Sequence, residues 1–557
     1  MSSKDQKGKH DASLFSLNES AAQAFSQIAQ YMELKGVNPF KIKAYIKASR
    51  VLRDLEEDLD VISNRNELRS IPGVGKAIAD KLESFLETGK IPQLEELKEE
   101  IPAGLVLVSS LPGLGAKKTV LLHKELGVSS LQDLKDACLE ERVETVKGFS
   151  KKSQSKFLGL VEKALQSNVT FVKSRTEEWG RQTCERLVGL SGLDRAVVVG
   201  RVRRRCPFSD KIEILLICHD VEAARQDVLH RMSQGANAAQ DTEDGLVLSH
   251  PSGCPIHIYF HGTDNAGWEM MRRTGPQEFL EKLGEVEAAN EEDAFAKLGR
   301  PFVTPELREL EDPWDVGQLL QVDHLNGNLH AHTTWSDGAD TLDEMVAEAR
   351  RRGHQFFGVS DHSRSLVIAN GLTIDRLRQQ GQDIRKLDNE LSDIKIFRSV
   401  ECDILEKGEL DYPDDVLDEL DYVVAAVHSF FHLDKEAMTY RLLQGISHAK
   451  VRVLAHPTGR RLTKRDGYSA DWEQVFAACA KKGVALEINA SPWRLDISEE
   501  LLRLAIDLGC LISINTDAHS VAEFDYVRHG VDMARRVALH PDCVINTWSA
   551  EKLAGWF

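Results

Sequence analysis

Seven short strand-like runs recur between residues 324 and 557, at 328–332, 356–360, 395–400, 422–427, 451–455, 484–488 and 511–514. Stretches with helical spacing lie between them, among them 342–352, 472–481 and 499–508. Strand and helix alternating through short connections predict a parallel (βα)7 barrel. In such a barrel the reactive side chains sit at the C-terminal ends of the strands, gathered at one mouth.

What stands at those ends is unusual. NLHAHTTWSDG brings His330, His332 and Asp337; GVSDHS brings His362; VECD brings Glu401. AVHS adds His428, AHPTGR adds His456, and NTDAH adds Asp517 and His519. Residues two apart on a strand point to one side, so His330 pairs with His332 and Asp517 with His519. A lone strand-end histidine is ordinarily a satisfied polar group, but nine such residues on six strand ends indicate metal. They exceed what one ion uses, and imidazole with carboxylate suits zinc, manganese or iron better than magnesium alone. The nine cysteines include no C-x-x-C pair, which argues against both a thiolate zinc site and a disulfide framework.

The order and spacing of these ligands resemble the polymerase and histidinol phosphatase (PHP) family over 324–557. The resemblance implies that His330, His332, Glu401 and Asp517 hold one metal. Glu401 would bridge to a second, held by His428 and His456, and Asp337, His362 and His519 would hold the third. It therefore implies three divalent transition-metal ions (Zn, Mn or Fe) and phosphoester hydrolysis. Arg460 and Arg494 are candidate clamps for the phosphate.

The N-terminal part reads as helical throughout, with 1–92 and 93–169 as two units and a disordered first dozen residues. IPGVGKAIADKLESFLETG at 71–89 and LPGLGAKKTVLLHKELG at 111–127 repeat one design. Gly73 and Gly75, like Gly113 and Gly115, permit a tight hairpin with φ > 0 and leave the next helix's first amides uncovered. Those amides and the helix dipole favour a phosphate oxygen, with Lys76, Lys117 and Lys118 placed to add charge. The pattern resembles the helix-hairpin-helix element, which grips the DNA backbone without reading sequence. A third segment at Gly148, with Ser150 where a second glycine would stand, is either a worn copy or only a helix start. The chain carries 70 − 88 = −18 formal charges, so any grip on DNA is expected to be local.

Residues 170–312 change character. Runs at 196–199 and 212–218 and a hairpin within 245–262 read as α+β structure. This part resembles the palm and thumb of family-X DNA polymerases, whose Gly-Ser, Asp-x-Asp and later Asp serve two magnesium ions and a nucleotide. Here Gly200 is followed by Arg201, Lys211 and Glu213 stand at the Asp-x-Asp positions, and His257 stands at the third. The TG-Ser loop reads Thr274-Gly275-Pro276. A lysine where two cations belong implies a nucleotidyltransferase fold kept without its chemistry. Arg201, Arg203, Arg204 and Arg205 are expected either to touch DNA or to form a solvated basic loop.

The whole order resembles bacterial family-X DNA polymerases with a C-terminal PHP domain. The expectation is a multidomain DNA repair protein divided at 1–92, 93–169, 170–312 and 324–557. Its barrel would act as a 3′–5′ exonuclease or 3′-end processing enzyme on gapped, nicked or 3′-ended DNA, without sequence specificity. A polymerase with an associated exonuclease and a small-molecule phosphatase of the histidinol-phosphatase type stay open. No apolar run reaches 18 residues and no signal segment is evident, so a cytoplasmic monomer without membrane contact is expected.

Overall fold

The computed structural model describes residues 17–557 except 54, 56–58, 66, 72, 167–169, 234–239 and 463. The segment read as disordered lies outside the described residues. Helices Leu17–Leu34 and Pro39–Arg53 open the chain. The stripe Ala22, Phe25, Ile28 and Met32 is buried, as its spacing requires, against Tyr45, Ala48 and Leu52. A second helical unit packs around Leu122, Leu134, Phe157 and Val161, so each unit has its own small core.

The middle of the chain contributes the short strands β1 (Phe171–Val172) and β3 (Phe208–Ser209), paired antiparallel. A five-stranded sheet is built from β2 (Leu193–Val199), β4 (Ile212–Cys218), β5 (Gln240–Thr242), β6 (Gly245–Ser249) and β7 (Pro255–Gly262). Its order is β2-β4-β7-β6-β5, with only β4 and β7 parallel. The β6–β7 hairpin is the one read from the sequence.

The barrel follows: β8 (Gly327–Asn328), β9 (Phe356–Val359), β10 (Lys395–Arg398), β11 (Glu401–Asp403), β12 (Val423–Ala426), β13 (Val451–Leu454), β14 (Ala485–Asn489) and β15 (Ile512–Asn515). Pairing is parallel throughout, in the orders β10-β9-β8 and β11-β12-β13-β14-β15. Single bridges Ala331↔Ala518 and His362↔Glu401 join the two sheets into one ring. The run expected at 395–400 breaks after Arg398: β10 pairs back to β9 and β11 forward to β12, so together they fill one of seven strand positions. The first run is also shorter than expected, because the chain leaves the ladder after Asn328 and meets the last strand only through Ala331. Both irregularities fall where ligands begin.

The N-terminal end of the barrel is stoppered by the C-terminal residues. Phe557 stacks on Tyr422 at 4.4 Å, and the helix Ala550–Trp556 packs beside it. The opposite end is the mouth. Helix Val527–Arg536 docks the barrel on the middle of the chain: Arg535 pairs with Glu306 and Arg536 with Glu309, while Asp532 takes Lys173 and Arg205. Among the described residues no helix is long and apolar enough to cross a membrane.

Candidate metal centre

All nine strand-end residues converge. His332 Nε2 lies 3.2 Å from His330 Nε2 and 3.1 Å from Asp517 Oδ1. Glu401 reaches five histidines: His456 Nε2 at 2.8 Å, His428 Nε2 at 3.2 Å, His362 Nδ1 at 2.7 Å, His330 Nε2 at 3.5 Å and His332 Nε2 at 3.6 Å. Asp337 Oδ1 lies 3.5 Å from His362 Nε2 and 3.4 Å from His519 Nε2. Three groups of donors could each hold an ion: His330–His332–Asp517, His362–Glu401–His428, and His332–Asp337–His362–His519. His332 and His362 each serve two groups, a sharing that the strand-by-strand reading did not contain. The groups differ in depth. The side chains of His330, His332 and Glu401 are wholly buried, whereas those of Asp337 and His519 are 34% exposed and form the outer edge.

The donors suit metal on their own chemistry. Buried polar atoms in folded proteins are nearly always hydrogen-bonded. Here Glu401 Oε2, His332 Nδ1, His362 Nδ1 and His456 Nδ1 are buried with no hydrogen-bond partner. The close approach of His362 to Glu401 is not aligned as a hydrogen bond. Burial alone would raise these carboxyls, but His428, His362 and His330 hold Glu401 well below the usual carboxylate range. Burial would lower His428, yet Glu401 and Asp403 lift it to about 10. The mouth is thus a field that draws positive charge. Two of the ligands, His456 at φ 28° and Asp517 at φ 53°, occupy the left-handed region that side chains seldom adopt, a strain held by the surrounding fold.

An outer layer escaped the sequence reading. Glu487, fully buried on β14, accepts from His330 Nδ1 and from the His456 amide, both at 2.8 Å. Asn515 Nδ2 and Asn489 Nδ2 donate to it at 3.0 and 3.1 Å. Asp403 Oδ1 takes His428 Nδ1 at 2.6 Å. Such partners fix ring orientation and tautomer. Their only sequence signal is a carboxylate two residues from a ligand or in mid-strand. The two arginine clamps separate. Arg494 Nε stands 3.5 Å from Asp517 Oδ2 at the mouth. Arg460 departs from the expected role: its guanidinium donates to the carbonyls of Arg494 (3.1 Å) and Ile497 (3.4 Å), bracing that loop.

In the middle sheet Glu213 and His257 lie side by side in the β4–β7 register. Lys211 Nζ pairs with Glu213 Oε1 at 2.9 Å, and Tyr259 OH donates to the same oxygen at 3.0 Å. Gly200, at φ 64°, lies against Glu213 so closely that a Cβ would fall 1.9 Å from Oε2. The arginine cluster is not a freely solvated loop for three of its members: Arg203 binds Glu291, Arg204, which is buried, binds Glu309, and Arg205 binds Asp532 while its side chain stays 37% exposed. Arg201 donates to the Phe208 carbonyl and stays exposed.

The two hairpins have the expected form with one correction. Gly73, Gly113 and Gly115 have positive φ, but Gly75 does not; at φ −81° it is an ordinary extended cap to the helix Lys76–Thr88. Neither Lys76–Thr88 nor Gly115–Leu126 has a side-chain N-cap, which leaves the first amides open. Lys76 and Lys117 are exposed, while Lys118 Nζ donates back to the Gly113 carbonyl at 2.8 Å. A lysine from a neighbouring helix crosses each first glycine. A Cβ on Gly73 would lie 2.9 Å from Lys47 Cε, and one on Gly113 would lie 3.6 Å from Lys156 Nζ. The third copy has Gly148 at φ 96°, but there Ser150 Oγ accepts from the Ser153 amide at 3.3 Å.

Residues 16–91 match the model of a helix-hairpin-helix domain, 105–154 that of a SAM-like helix-hairpin-helix tandem, and 328–491 that of the PHP domain. The DNA polymerase/3′-5′ exonuclease PolX of Bacillus subtilis (strain 168) is 34% identical over 549 residues, covering 94% of this chain and 96% of that protein. A probable phosphatase of Shewanella sp. (strain MR-4) is 30% identical over 209 residues, 35% of this chain and 78% of its own. A probable phosphatase of Syntrophotalea carbinolica is 25% identical over 232 residues, 39% of this chain and 90% of its own.

Proposed function

The chain belongs to the bacterial family-X DNA polymerases with a C-terminal PHP domain, the family of the PolX polymerase/exonuclease, and from that premise we propose that it is a metal-dependent DNA 3′–5′ exonuclease or 3′-end processing enzyme whose polymerase core is silent. The observation that carries the reading is the convergence of nine donors, eight of them in three overlapping groups and the ninth, His456, 2.8 Å from Glu401. His330, His332 and Asp517 would hold one ion with Glu401, Glu401 would also serve a second with His428 and His456, and Asp337, His362 and His519 would hold the outermost. Divalent transition metals bound there supply Lewis-acid polarisation of a phosphoryl oxygen and lower the pKa of water. Arg494 is placed to take a non-bridging phosphate oxygen beside Asp517. Glu487 and Asp403 keep the imidazoles in register, and the buried walls keep the inner donors dry.

Silence of the core rests on Lys211. Its ammonium occupies the neighbourhood of Glu213 that divalent ions would need, and His257, an imidazole, stands beside Glu213 on β7. The hairpin domains supply the hold on DNA through open helix amides and the lysines around them. The test uses labelled primer–template with manganese, with and without nucleotides. Shortening from the 3′ end that disappears in Asp517→Ala is expected, with no extension in that variant. Extension by Asp517→Ala would overturn the silent core.

A second reading has one observation behind it: barrel-only relatives carry the name probable phosphatase. It predicts that a chromogenic phosphate monoester is turned over faster than any DNA end and that removing residues 1–169 changes neither rate.

A further inference from the structure

Two features of the barrel's rim carry side chains beyond the nine donors themselves. The first is the loop after β9. Its turn Val367–Ala369 presents Val367 at 82% and Ile368 at 96% exposure, more than any other large apolar residue among those described. The loop is firmly tied beneath this tip. The Ser365 amide donates to Asp411 at 2.6 Å, and Ser365 Oγ to Asp403, the carboxylate that orients His428, at 2.5 Å. Asn370 Nδ2 donates to the Trp335 and Ser336 carbonyls at 3.3 Å, next to the ligand Asp337. Two branched apolar side chains are therefore held in water on a braced support anchored to the donor set.

The second feature is basic. The loops after β13 and β14 carry exposed Arg461 and Lys464, with Arg494 beside Asp517, in a chain whose formal charge is −18. The order of strands relates the two. With β10 and β11 sharing one position, β9 is second of seven in the ring and β13 and β14 are fifth and sixth. In a ring of seven, the second position lies opposite the gap between the fifth and sixth. The apolar tip and the basic lip thus face one another across the donors.

We propose that Val367 and Ile368 form a strand-separating wedge. The basic lip holds phosphates of the strand to be shortened. The wedge packs on the terminal base pair and parts it, so that a paired 3′-terminal nucleotide reaches the donors unstacked. Apolar side chains pressed into a base step are a general means of unstacking DNA. Enzymes that act on a base take it out of the stack, and donors as deeply buried as His330, His332 and Glu401 favour the same for a paired terminal nucleotide. β-branched side chains are stiff at χ1, so little freedom is lost on binding. The inference rests on the reading of the barrel as a DNA 3′-end nuclease.

The test compares full-length protein with the Val367→Ser/Ile368→Ser double variant in manganese. The substrates are a single-stranded 3′ end, the same end fully paired, and p-nitrophenyl phosphate. We expect the double variant to lose about fivefold or more on the paired end and to stay within about twofold on the other two. Ile368→Leu, which keeps the apolar volume, should retain the paired-end rate. A second readout needs no catalysis: 2-aminopurine at the paired 3′ terminus, with EDTA present, should brighten on binding wild-type protein and not the double variant. An unchanged paired-end rate in the double variant, or equal loss on all three substrates, overturns the wedge. Wild-type protein that cuts neither DNA end rejects the nuclease reading instead, and the fluorescence readout then judges the wedge separately.

Discussion

At the scale of single residues, Glu401 is the joint of the metal centre. It lies against His330, His332, His362, His428 and His456, and its buried Oε2 has no hydrogen-bond partner. Replacing it by Ala should therefore remove more than one ion: elemental analysis should find about three transition-metal ions in the wild type and at most one in Glu401→Ala. Wild-type protein with a single ion would contradict the three-group reading. Asp403 acts one step further out, through His428 Nδ1. Asp403→Asn keeps the shape and removes the charge, and should weaken metal affinity about 10- to 100-fold by chelator competition. The convergence of these donors was legible in the sequence because they follow short apolar runs at successive strand ends. Glu487 and Asp403 were not, because a carboxylate's second role depends on what lies across the barrel.

At the scale of elements, the hairpins differ by what covers the helix start. Lys76–Thr88 and Gly115–Leu126 begin uncapped, whereas the helix Lys151–Gln166 begins under Ser150. Phosphate should be taken at the first two and not at the third. Removing Lys47, Lys76, Lys117 and Lys156 together should lower DNA affinity at every sequence alike. It should also flatten the dependence of log K on log salt by up to about 0.9 for each phosphate no longer neutralised. Substituting Ser150 by Ala should leave that slope unchanged; fluorescence anisotropy across a salt series checks both. Lys76 and Lys117 were readable beside their glycines. Lys47 and Lys156 were not, since they arrive from helices 26 and 43 residues away from the glycine they cross (73 − 47 and 156 − 113).

At the scale of the whole molecule, the barrel and the middle of the chain meet through buried ion pairs. Arg535 and Glu306 are 7% and 2% exposed at their side chains, so Glu306→Ala would leave a buried guanidinium without its carboxylate. That should cost about 3–5 kcal/mol and lower the thermal midpoint. Loss of under about 1 kcal/mol would show the pair to be replaceable. Glu309 gives the pH dependence. Burial pushes its carboxyl up, but Arg536 and Arg204 outweigh this and hold it at about 2. Its folded value lies below its unfolded one, about 4.3. Its stabilisation is therefore complete above that value and is lost as pH falls through about 2. Unfolding midpoints followed from pH 6 to 2 in wild type and Glu309→Gln should converge at the acid end.

The sequence by itself determined the order of the helical, mixed and barrel parts and the residue types that stand at the barrel's strand ends. Each of these depends on residue type at a local spacing: alternation of strand and helix, a glycine before a helix, a histidine or carboxylate after an apolar run. The tertiary structure alone decided that His332 and His362 are shared between donor groups, that Arg460 braces a loop, and that three arginines of the basic run are tied in ion pairs. It alone set an apolar tip across the mouth from a basic lip. Those are relations between side chains distant in the chain, and closure of the ring is what brings them within reach.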